Sequence, residues 1–140
     1  MKISTDGLVV AILCALLASA CAHTKLQALT VDEMIRSNLE EGHVVSVKGY
    51  LRFGDDSRNL WSNKDAYELV ESRYTPQDDP AWNHCITLYG IEDWRKELLA
   101  KDRSYVVIAG VIHRYPSKEG DVSVGSCSDL GISIRLIGSD

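Results

Sequence analysis

The chain is poor in the features that would announce an activity. It carries no G-x-S-x-G elbow, no H-E-x-x-H helix and no glycine loop able to cradle a phosphate, so nothing marks it as an enzyme. With 3 Pro and 1 Phe in 140 residues, it shows no low-complexity tract and no internal repeat, which sets aside solenoids and repeat arrays. Positive charge is also short: 15 Lys+Arg stand against 20 Asp+Glu, a net charge of −5, which weighs against a nucleic-acid polyanion as ligand. Beyond the first twenty residues no segment is long and apolar enough to span a bilayer. Metal ligation lacks its usual spacing. His84 and Cys85 are neighbours without a second pair, and Asp55 and Asp56 beside Gly54 are ordinary turn formers, too few for a hard cation. No cofactor is expected. His43, His84 and His113 fall at strand ends or within strands and read as structural, and Glu40 and Glu41 sit on a solvated helix end.

What the chain does have begins with an apolar run from Leu8 to Ala20, too short to cross a membrane and the right length for the core of a secretory signal. Two cleavage readings follow. Ala18-Ser19-Ala20 is an A-x-A site for ordinary secretion. The same residues, with Leu17 before them and Cys21 after, resemble a bacterial lipobox, in which the cysteine is acylated and becomes the new N-terminus. The resemblance implies a signal over 1–20, a lipid on Cys21 and a tether over 21–29. With Ala22 rather than Asp after the lipidated cysteine, it also implies an outer-membrane anchor facing the periplasm.

Cysteine arithmetic follows from that address. Cys14 leaves with the signal and Cys21 carries lipid, so Cys85 and Cys127 remain as a pair in an oxidising compartment, where a disulfide is expected. A reactive thiol is the competing reading. The remaining chain of about 120 residues suits a single domain, 30–140, with a core of its own.

Along that domain, Thr30 and Glu33 stand at capping-box spacing before Val31, Met34, Ile35 and Leu39, which predicts a helix closing at Gly42. Residues 43–53 alternate, with Val45, Val47, Gly49, Leu51 and Phe53 on the core side and Ser46, Lys48, Tyr50 and Arg52 on the wet side. A turn at Gly54 to Asn59 precedes Leu60-Trp61-Ser62, and Ala66 to Val70 reads as the rest of an irregular second strand. Residues 71–83, with Pro76 and Pro80, read as a loop. A short strand from His84 places Ile86 and Leu88 inward, and Ile91, Trp94 and Leu98 share one stripe of a helix. The run 103–115 is strongly β-forming and apolar on both sides, and a last strand places Ile132, Ile134 and Leu136 inward.

Three strands, a helix and two strands, with glycines in mid-strand at Gly49 and Gly110, resemble the OB-fold, a five-stranded Greek-key barrel, here mainly β with an extra N-terminal helix. Lipobox and strand order together make the chain similar to small bacterial lipoproteins with an OB-like domain. In that topology the third and fifth strands run side by side and parallel, which brings Cys85 and Cys127 within reach of each other. The resemblance implies a binding surface on the outer face of the second and third strands and their loops. Carried over residue by residue it selects Tyr50, Arg52, Arg58, Trp61, Tyr89, Tyr115 and Lys118, with Asp55 and Asp56 in the first loop. Trp61 and Trp94 also read as core residues, whereas Trp82, in a polar loop, is expected at the surface and is a further candidate for ligand contact. Two functions fit: a non-catalytic module holding envelope glycan or peptide on aromatic residues, or a protein-interaction lipoprotein, either an assembly accessory or a toxin neutraliser, presenting acidic surface to a basic partner.

Overall fold

The computed structural model describes residues 27–73, 79–114 and 127–139. The signal segment, Cys21, most of the tether, Tyr115 and Lys118 lie outside them.

The fold is mainly β. Six strands, β1 (Leu29–Thr30), β2 (Val44–Gly54), β3 (Ser57–Trp61), β4 (Cys85–Tyr89), β5 (Tyr105–Arg114) and β6 (Leu130–Ser139), form one mixed sheet in the order β1-β2-β3-β4-β6-β5. An additional β2–β5 pairing closes strands β2 to β6 into a ring of hydrogen bonds. Closure depends on β2, which is long enough to serve two partners. Its first part, Val44 to Tyr50, is antiparallel to β5, and its last part, Tyr50 to Gly54, is antiparallel to β3. The exchange occurs where Gly49 lets the neighbours in. A Cβ there would stand 2.5 Å from the Trp61 carbonyl oxygen, 2.8 Å from Leu60 and 2.9 Å from Val31, so only glycine allows this approach. Past Tyr50 the turn after the last helix completes the seam, Leu51 N–H donating to Ser104 O at 2.8 Å and Arg103 N–H to Leu51 O at 2.9 Å.

Strand β4 runs parallel to β6, Thr87 to Tyr89 opposite Gly131 to Ser133. Beside this pair the expected disulfide is present. Cys85 and Cys127 are bonded across a Cα separation of 5.0 Å, and both are buried.

Alternation sends one side of every ring strand to a common interior. Val47, Leu51, Leu60, Ile86, Leu88, Ile108, Ile112 and Ile132 are fully buried there, each contributing about 1.5–3 kcal/mol of transfer free energy. Two short helices fill the remaining space. Helix α1 (Val31–Arg36) supplies Val31 and Met34, and helix α3 (Arg95–Ala100), entered through a 3-10 turn at Glu92–Trp94, supplies Leu98. The capping box of α1 is formed as its sequence predicts. Glu33 N–H donates to Thr30 Oγ1 at 3.2 Å and the Glu33 carboxylate accepts from Thr30 N–H at 2.7 Å, which holds that carboxyl below its usual range.

Four expectations need correction. Helix α1 stops at Arg36 rather than Gly42, because the Ser37 hydroxyl takes the Met34 carbonyl at 2.6 Å and its own backbone turns extended. Gly42 instead serves a turn at φ +88. The segment read as the rest of a second strand is helix α2 (Lys64–Arg73), started by the Asn63 side chain, whose Oδ1 accepts from Ala66 N–H at 2.8 Å. The stretch read as a loop is therefore partly helical, at Glu71–Arg73 in α2 and again in a 3-10 turn at Pro80–His84. In β6, Leu136 is 60% exposed rather than inward. The register with β5 shifts between Ala109 and Gly110, which places Ile134 and Ile137 inside and turns Leu136 out.

Candidate functional site

The outer face of β2, β3 and β4 was expected to be wet, and the structure divides it into a covered part and an open part. Register sets one row of side chains across the strands: Tyr105 opposite Tyr50, Tyr50 opposite Trp61, and Trp61 opposite Cys85. Tyr50, Trp61 and Cys85 form a second apolar cluster outside the ring, with Tyr105 exposed at its edge. Helix α2 lays Ala66, Tyr67 and Val70 on it, the 3-10 turn adds Ala81 and Trp82, and Cys127 closes it through the disulfide. Tyr67 is central, its ring 5.6 Å from that of Trp61, 6.1 Å from that of Tyr50 and 4.2 Å from Arg52 Cζ. Tyr50 is only 5% exposed and Trp61 2%. Neither presents a free ring to solvent. Trp82 is half-buried with its ring 5.6 Å from Trp61, not the surface aromatic that its polar neighbours predict. Its turn is held by Asp79, whose Oδ1 accepts from Ala81 N–H at 2.8 Å, and by Pro80 at the first helical position.

Arg52 leads from the covered part to the open one. Its Nε donates to Asp102 Oδ1 at 3.1 Å, and the same oxygen accepts from Phe53 N–H at 2.8 Å, so one carboxylate from the turn before β5 fixes both the guanidinium and the strand. Among the described residues, three buried side-chain polar atoms have no hydrogen-bond partner: Arg52 Nη1, Trp61 Nε1 and Ser62 Oγ. Each such group costs about 1–3 kcal/mol of desolvation. Two of them, on Arg52 and Trp61, belong to side chains that touch Tyr67.

The next row along is partly open, with Asn59 and Gly131 buried and Thr87 and His113 half-buried. Arg52 pairs with Asn59, Asn59 with Thr87, Thr87 with Gly131, and Gly131 with His113. Gly131 has no side chain because the Tyr89 ring occupies the space, and a Cβ there would run into that ring and into Thr87 O. The Arg58 guanidinium lies 5.8 Å from the Tyr89 ring centre, Tyr89 meets His113 edge to face at 5.8 Å, and His113 Nδ1 is 3.4 Å from Glu41 Oε1. Arg58 is exposed, and Thr87, Tyr89 and His113 are half-buried. Asp55 and Asp56, in the β2–β3 turn beside this strip, are exposed, with Arg95 3.7 Å from Asp55.

Of the residues selected from sequence, Arg58 and Tyr89 therefore meet on an accessible surface, Arg52 lies at its margin, and Tyr50, Trp61 and Trp82 belong to the covered cluster. Tyr115 and Lys118 are outside the described residues. Sequence reasoning missed Tyr67 and His113. The first had a readable signal, since Ala66, Tyr67 and Val70 share one side of a helix begun by Asn63. On its other side α2 carries a shallow groove of about 520 Å³ lined by Asp65, Glu68, Leu69, Glu71 and Ser72, with Leu69 41% exposed. There Lys64 pairs with Glu68 at 3.3 Å, a hydrogen bond that raises the lysine pKa.

Among the described residues no group of three or more His, Cys, Asp or Glu is placed to hold a metal ion, and no helix is long and apolar enough to cross a membrane. The chain matches no protein-family model, and comparison with curated proteins and with solved structures finds no match.

Proposed function

We propose that this chain is a lipid-anchored periplasmic protein whose ring of strands is an OB-like barrel and whose activity is to hold envelope glycan or peptide without catalysis. The strand order with its parallel β4–β6 pair supports the barrel reading. Oxidation of Cys85 and Cys127 agrees with a compartment beyond the cytosol. The lipid on Cys21 and the outer-membrane address rest on the lipobox resemblance.

One observation carries the binding assignment: the accessible strip of Arg58, Thr87, Tyr89 and His113 on the face where an OB barrel takes its ligands. It joins an aromatic ring edge, a cation and a hydroxyl, the groups that meet the apolar faces and hydroxyls of a sugar or the backbone of an extended peptide. Substituting Arg58→Ala and Tyr89→Ala tests this. Retention on purified envelope glycan or on peptide extracted from the envelope is expected to fall at least tenfold, with the thermal midpoint of Arg58→Ala unchanged. Equal retention by both variants would end the assignment of this strip.

A second reading is favoured by the groove on α2, where three carboxylates surround an exposed leucine. That chemistry fits a basic protein partner, as in an assembly accessory or a toxin neutraliser. Recovery of one stoichiometric protein from solubilised envelope, lost on Glu68→Lys and Glu71→Lys, would favour it over the first.

A further inference from the structure

We infer that helix α2 is a movable cover over a second ligand position, in which Arg52 and Trp61 take the carboxylate of an acidic sugar; this deepens the glycan reading above and rests on it. Trp61 is 2% exposed and its Nε1–H has no acceptor. Arg52 spends Nε on Asp102 while its buried Nη1 has no acceptor. An indole N–H and a guanidinium N–H can only donate, so the partner they lack is an acceptor, and the fixed cation one diagonal step from Trp61 in the β2–β3 register selects an anionic one. A carboxylate offers two oxygens for two donors. The walls that stay in place are Tyr50 and Trp82, rings that suit the apolar faces of a sugar better than a short acidic side chain with no faces to present.

Access requires motion, and the element in the way is weakly held. Across ten residues α2 buries one side chain, Val70, whereas α1 buries two in six, both completely. Its first turn is tied by Lys64 N–H to Tyr105 Oη at 3.2 Å and by its own Asn63 cap. A helix of this length does not hold itself together in water and depends on that packing. It belongs to the class of elements that open below the global unfolding free energy. Lifting α2 withdraws Tyr67 from both donors at once.

The test uses the full oxidised chain labelled with nitrogen-15, in which three tryptophans give three indole N–H signals, assigned through Trp82→Phe and Trp94→Phe. Methyl glucuronide is titrated against methyl glucoside, the same ring without a carboxylate, and against N-acetylglutamate amide. The expected result is a saturating shift of the Trp61 indole signal with the glucuronide, at least tenfold weaker with the other two. At rest, α2 amides should exchange at least a hundredfold faster than those of β2. Equal response to glucoside overturns the carboxylate, and response to the glutamate compound alone makes the position a peptide site. Glucuronide binding that leaves Trp61 unmoved overturns this position while leaving the glycan reading intact. Binding of neither sugar anywhere removes both, and α2 protected as strongly as β2 overturns the cover.

Discussion

Removing the crosslink between Cys85 and Cys127 is the perturbation whose size follows most directly from the structure. The bond closes a sequence separation of 42. In the chain-entropy account such a loop restrains the unfolded ensemble by about 4 kcal/mol at 25 °C. The loop contains β4, α3 and β5, so without it the β4 and β6 seam must form at full entropic expense. Reducing the wild-type chain isolates this term. The double variant Cys85→Ala/Cys127→Ala adds the packing of two buried sulfurs, about 1 kcal/mol more. Urea unfolding followed by tryptophan fluorescence should show a loss of about 4 kcal/mol on reduction, a steeper dependence on urea as the denatured chain expands, and a thermal midpoint lower by about 16 °C. A loss under about 1 kcal/mol with unchanged steepness would refute the reasoning. It would mean that the unfolded chain keeps these two ends together unaided.

Other expectations rest on equally local features. Gly49→Ala should cost about 1–3 kcal/mol by overpacking against Trp61 O, Leu60 and Val31, while Gly54→Ala, with nothing within 4 Å of the new methyl, should stay within about 0.5 kcal/mol of wild type in the same urea titration. The Glu33 carboxyl is depressed below 4.5, chiefly by the backbone hydrogen bond from Thr30. A depressed acid stabilises the fold above its unfolded pKa and loses that contribution as pH falls through the folded value. The stability gap between wild type and Glu33→Gln should therefore be full at pH 7 and shrink steadily below about pH 4.3; a gap independent of pH would contradict the capping box.

Much of the ring was legible because strand alternation is a local property. Val45, Val47, Leu51 and Phe53 are buried as their spacing requires, and the disulfide followed from counting cysteines. What was not legible depended on contacts between distant parts of the chain. Tyr50 and Arg52 alternate onto a polar face, and nothing in β2 reveals that a helix fifteen residues later in the chain lies over them. That helix was misread because Ala66-Tyr67-Glu68-Leu69-Val70 holds an aromatic and a β-branched residue that favour strands. Packing of Tyr67 on Trp61 and the Asn63 cap outweigh that preference. Leu136 fails for a geometric reason, since a register shift breaks the period of two on which the expectation was built. At the candidate site, the core reading of Trp61 agrees with its burial, whereas the cover over Tyr50 and Arg52 was not legible, because it comes from helix α2, which the sequence presents as a strand.

The double duty of β2 has a last consequence for how the molecule tolerates change in length. Ten other residues of that strand answer to Gly49, some against β5 and others against β3. One extra amino acid near the handover would slide both seams at once and turn inward-facing hydrocarbons toward water on either flank. Additions in the turn at Asp55 and Asp56 disturb neither alignment. Grafted tags or loops should therefore be welcome at that tip and ruinous five or six positions upstream of it.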